Sequence, residues 1–165
     1  MDKKKQQYVG LILAIFLYYI IHEGAHLIYA LTINVYKQIN FMGLGIQIDV
    51  FAERMTSNQI GVFCIVGSVA TLITTYVLVA LTDKIGESSS KGFKASMYYI
   101  TIAMLLIDPL YLSILWGFVG GGDMNGISLV IPEVVSRVAY GIILVINVVI
   151  FIKIVLPKYK LAFEN

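Results

Sequence analysis

The sequence predicts an all-α integral membrane protein of about four transmembrane helices, with a short β-like segment between the first two. Three observations carry this. Hydrophobic residues make up 59% of the 165 and charged residues 13%, against about 45–50% and about 25% in soluble domains. Mean hydropathy is +0.85. Long uncharged runs reach the roughly 20 residues that a helix needs to cross the hydrocarbon. The length suits one compact bundle, a single domain over residues 1–165. A net charge of +2 is too small to argue for nucleic acid, and with one cysteine, Cys64, no intramolecular disulfide can form.

The first span is expected over about residues 9–31. Its basic start suggests a signal peptide, but the apolar run is too long and lacks a small-residue cleavage site, so a retained helix is expected. The second, about 60–81, carries no charge; the third, about 95–119, carries Asp108, followed by Pro109. The fourth, about 134–156, carries Arg137 and Lys153 near its ends, where long side chains can snorkel. Between the first two spans, Ile46, Ile48 and Val50 alternate with Gln47 and Asp49, the period of a strand. Gly43 and Gly45 suggest a turn beside it. The second loop is polar, and the third is glycine-rich and carries Asp123.

Nine lysines (residues 3, 4, 5, 84, 91, 94, 153, 158 and 160) fall on one side of this topology, and Lys37, Arg54 and Arg137 on the other. The positive-inside rule then puts both termini in the cytoplasm of a multi-pass cell-membrane protein. Parallel first and third spans bring the later half of the first to the same side as Asp123.

That later half holds His22-Glu23-Gly24-Ala25-His26, an HExxH that uses both histidines of the chain. Residues four apart share a helix face, so both imidazoles can hold one metal ion. Glu23 projects about 100° away, suited to a water on the metal rather than to the metal itself. Zinc with three protein ligands and an open position makes water acidic near neutral pH. Glu23 would take the proton and pass it to the leaving amine. Ionisable groups within a span are costly and mark function, which favours a metal site over structural polar contacts. Candidates for the third ligand are Asp123, Asp108 and Glu133; Asp123 leads, because its glycines let the backbone bring a carboxylate back toward the first span.

The chain resembles the site-2 protease-like intramembrane metalloproteases, peptidase family M50. His22, Glu23 and His26 match that family's first motif in full. The second, a glycine-proline-x-x-asparagine type, resembles "GSVAT" at residues 67–71, with Ser68 in place of proline and Thr71 in place of asparagine. The third, an aspartate-glycine motif, resembles "GGDMNG", with Met124 and Asn125 between Asp123 and Gly126. The resemblance covers the first three spans. It implies a Zn2+ held by His22, His26 and Asp123, Glu23 as general base, and Thr71 at the substrate. By the same analogy Cys64, Ser68, Thr71 and Thr75 would line the cavity, although small residues and hydroxyls also serve helix packing. It also places the active site toward the cytoplasm, whereas the lysine count places it on the far side.

Proteases often hold substrate as an added strand, so residues 44–49, with Gly45, Ile46 and Gln47 foremost, are expected to offer that edge. The expected partners are the lipid bilayer, a membrane-embedded protein or peptide substrate, and a protein that helps select it. Three rivals stay open: a non-hydrolytic metal-binding or transport protein with the same ligands, a protease with Glu133 as third ligand, and an inert scaffold.

Overall fold

A computed structural model describes residues 3–42 and 45–164. Gly43 and Leu44, at the expected turn and edge, lie outside them. Helix α1 (Lys3–Thr32) leads into strands β1 (Tyr36–Met42) and β2 (Gly45–Val50), then α2 (Ser57–Ala80) and a short α3 (Thr82–Gly86). Helix α4 (Lys91–Val119) follows, then a one-and-a-half-turn α5 (Gly122–Ile127) and α6 (Glu133–Glu164). Helices α1, α2, α4 and α6 are each long and apolar enough to cross a membrane, which fits a multi-pass membrane protein. α1 packs on α4 and α2, α4 also packs on α6, and α5 lies against α2.

The helix ends follow from local chemistry. Helix α1 stops in a Schellman motif: Val35 N–H donates to Ala30 O at 2.9 Å and Asn34 N–H to Leu31 O at 3.3 Å. Asn34 takes φ 57°, a conformation asparagine tolerates at this position. Buried Ala30, Val35 and Ile48 then form one cluster, so the turn folds the strands back against the end of α1. Thr56 and Gln59 form a reciprocal capping box that starts α2. Ser90 accepts Phe93 N–H at 3.2 Å to start α4.

The fourth span runs beyond its expected end, and wide turns accompany the prolines of both α4 and α6. A proline inside a helix lacks a donor and crowds the carbonyl four residues back, and Pro157 stands just past the fourth span's expected end at about residue 156. A π turn at Phe151–Val155 gives the ring room, and the helix continues to Glu164. Pro109 is likewise followed by a π turn, Tyr111–Leu115. The carbonyl that Pro109 cannot use, on Leu105, accepts from Asn147 Nδ2 at 2.7 Å, while Tyr76 donates to Asn147 Oδ1 at 3.0 Å. One amide thus ties α2, α4 and α6 together.

The sheet is an antiparallel pair, with Ile48 opposite Ile39 and Ile46 opposite Phe41. β1 escapes the sequence pattern because a register shift between Tyr36 and Gln38 breaks its alternation. Lys37 reaches across to Asp49 at 3.0 Å; its ammonium, hydrogen-bonded there, holds the Asp49 carboxyl below the usual range.

Polarity is inverted relative to a water-soluble fold. His22, His26, Ser68, Thr71, Asp108 and Asn147 are buried, while Ile12, Phe16, Ile28, Ile73, Val134 and Val145 face outward. Such a surface suits apolar surroundings. Lys94, one of the nine lysines counted above, is buried and donates to Ala162 O, docking the end of α6.

Candidate metal centre

The centre lies where α1, α2, α4 and α5 meet, beside β2. His22 and His26, one turn apart on α1, are 6% and 3% exposed. His22, Glu23 and His26 offer ligand atoms all within 4.8 Å of one another, a group that could hold a metal ion. Asp123 comes closer still: Oδ2 is 3.2 Å from His22 Nε2 and Oδ1 is 3.7 Å from His26 Nε2. Ligand atoms about 2.0–2.1 Å from a tetrahedral ion stand about 3.3 Å apart, and these two separations bracket that value.

The other nitrogen of each ring is committed. His26 Nδ1 is 2.6 Å from the Phe63 carbonyl, which can only accept, so Nδ1 carries the hydrogen. His22 Nδ1 lies 3.3 Å from the Asp108 carboxylate. In the neutral tautomers with Nδ1 donating, each Nε2 presents a lone pair to Asp123, itself an acceptor. Acceptors facing one another in a buried site need a proton or a cation between them. A proton on His22 would serve one contact; a divalent cation serves both.

Charge points the same way. Glu23, Asp108 and Asp123 converge here, and among the described residues none forms an ion pair with lysine or arginine. Three carboxylates with no lysine or arginine beside them are costly in a low-dielectric interior, even where, as at Asp108, neighbouring donors satisfy the oxygens. Space is provided by Gly67 on α2, where a Cβ would sit 2.5 Å from His26 Nε2 and 2.7 Å from His22 Nε2. The donor set, the lone pairs and this opening fit a first-row divalent ion.

Two cavities flank the centre. One, of about 250 Å³, is lined by Glu23, His26, Ile46, Gln47, Cys64 and Asp123 among others. The second, of about 390 Å³, lies between α1 and α4 and includes Tyr18, His22 and Asp108. Glu23, Tyr111 and Asp123 border both. Glu23 is half-buried, and its Oε2 accepts Ile48 N–H at 3.1 Å.

Asp123 sits in the first turn of α5, after Gly120 (φ 69°) and Gly121 (φ 144°). Both angles favour glycine. The π turn of α4 puts Tyr111 and Trp116 on this loop: Tyr111 donates to Gly120 O at 2.7 Å and Trp116 Nε1 to Gly121 O at 3.3 Å. Gly126 allows α5 to lie against Cys64, whose Sγ a Cβ there would meet at 2.2 Å.

Of the sequence candidates, His22, Glu23, His26 and Asp123 come together, with Ile46 and Gln47 on the nearer cavity and Gly45 opening β2. Thr71, expected at the substrate, is instead fully buried and donates to Asp108. Ser68 pairs with Tyr140 at 2.5 Å, so of the small-residue stripe only Cys64 borders the described cavities. Asp108 reaches the far nitrogen of His22, not the near one. Glu133 pairs with Arg137 at 3.3 Å. Tyr18 and Tyr111 escaped sequence reading, since an apolar helix offers many tyrosines and only packing selects among them. Comparison with protein-family models, curated proteins and solved structures gave no match.

Proposed function

We propose that the protein is a zinc-dependent intramembrane metalloprotease of the site-2 protease kind. It would sit in the cell membrane and hydrolyse a peptide bond in or near a transmembrane segment of a protein or peptide. The observation that supports this most is the convergence of the two buried histidine Nε2 atoms on the Asp123 carboxylate, at 3.2 and 3.7 Å, beside a half-buried Glu23.

His22, His26 and Asp123 would hold the ion. Bound zinc would acidify water and polarise the scissile carbonyl. Glu23 Oε2 is held by Ile48 N–H, which leaves Oε1 to take the proton of the attacking water and return it to the departing amine. The substrate must unwind locally, because a helical peptide bond is shielded. The free edge of β2 receives the unwound stretch. Ile48 N–H points away from β1 toward Glu23, so in an antiparallel pair Ile46 N–H, two residues earlier, points the same way. Ile46→Pro removes that donor at no cost to the ladder. Cleavage efficiency is expected to fall about 2- to 10-fold, the worth of one hydrogen bond, with metal content unchanged. Unaltered cleavage would remove this edge from the reading. A partner protein would help to select substrates.

The first test is metal content in protein purified without added metal. Wild type should carry about one zinc per chain, and Asp123→Ala far less, since a lost ligand leaves two histidines unable to close the site. No metal in wild type, even after zinc is resupplied, defeats the proposal.

A further inference from the structure

We propose that Asp108, which no motif singles out, is the positioning residue of the centre: clamped by Tyr18 and Thr71, it holds His22 so that Nε2 stays a free lone pair aimed at Asp123. This rests on the metalloprotease reading.

Asp108 is 1% exposed, so an unpaired carboxylate there would be prohibitive. It is not unpaired. Tyr18 on α1 donates to Oδ1 and Thr71 on α2 donates to Oδ2. His22 Nδ1 stands 3.3 Å from both oxygens. Three donors from two helices thus converge on one acceptor carried by a third. With both of its oxygens held by hydroxyls, the carboxylate has no freedom to swing toward the Nε2 side. It therefore cannot serve as a third ligand, and it dictates which His22 nitrogen carries the hydrogen.

Tyr18 contributes twice. It lies one turn before His22 on the same helix, and its ring stacks on the imidazole with centroids 5.4 Å apart and planes at 28°. The same side chain that hydrogen-bonds Asp108 thus limits rotation of His22. The two ligands are also held differently. His26 leans on a backbone carbonyl, which no side-chain change removes, whereas His22 leans on a charged side chain. A carboxylate on the far nitrogen makes an imidazole a stronger ligand, and loss of such a partner weakens metal affinity about 10- to 100-fold.

The test is chelator-competition titration of the full-length protein with zinc, together with the visible spectrum of the cobalt(II) form. Asp108→Asn keeps the shape but loses the charge; zinc affinity is expected to fall about 10- to 100-fold, with a shifted cobalt spectrum. Thr71→Val, which leaves Asp108 in place, should weaken zinc binding in the same direction, and Thr71→Ser should restore it. These two variants decide the matter if Asp108→Asn does not fold. Wild-type affinity and spectrum in Asp108→Asn, or identical behaviour of Thr71→Val and Thr71→Ser, would overturn the role while leaving the metal centre standing. A wild type that binds no zinc would overturn both.

Discussion

Glu23→Gln is expected to abolish cleavage and keep the metal. Glutamine fills the same space, and its amide oxygen can still accept Ile48 N–H, which Glu23 accepts at 3.1 Å. It cannot take a proton. A general base is worth about 10² to 10⁴ in rate, so single-turnover cleavage of a transmembrane substrate in proteoliposomes should slow by that factor. Metal content, measured on the same sample, should match wild type. A protein that only binds or moves metal would be indifferent to the change. Equal cleavage rates would therefore dismiss the role of Glu23, and metal flux without cleavage in both forms would favour transport.

Gly67→Ala should empty the centre without touching a ligand. The added Cβ would stand 2.5 Å from His26 Nε2 and 2.7 Å from His22 Nε2, well inside contact distance of the two atoms proposed to hold the ion. Neither ring can retreat easily, because each is tied at Nδ1, His26 to Phe63 O and His22 to Asp108. Alanine is otherwise favoured over glycine within a helix by about 1 kcal/mol, so α2 itself has no reason to fail. Metal content is expected to drop at least tenfold while the far-ultraviolet circular dichroism stays helical. Full metal occupancy in this variant would show that the ion does not sit between the two Nε2 atoms.

What could be read from sequence, and what could not, divides by range. His22, Glu23 and His26 lie within five residues of one helix, and helical geometry alone fixes their mutual placement. The four long helices follow from hydropathy in the same local way. β2 was visible through its alternation, but β1 was hidden by the irregularity between Tyr36 and Gln38. Helix α6 outran Pro157 because the preceding π turn absorbs the ring, and single residues do not announce such turns. Asp108 could be flagged only as a costly charge. Its place on the far side of His22 depends on how α4 packs against α1 and α2, a relation that spans 86 residues of chain. Thr71 departs from its expected place at the substrate for the same reason, because the neighbour that takes its hydroxyl comes from another helix.

The wide turn in α4 also has a meaning for how the chain tolerates changes in length. Trp116 N–H bonds Tyr111 O, five residues back, so this stretch holds more residues per turn than the helix around it. That surplus sets the phase at which Tyr111 and Trp116 emerge, and both then grip the glycine loop ahead of Asp123. Losing a single residue from Tyr111–Leu115 would let the helix relax to its ordinary pitch and rotate everything after it. The Asp123 carboxylate would be carried off, although no residue of the centre had been changed. Length between the π turn of α4 and the aspartate is thus counted residue by residue.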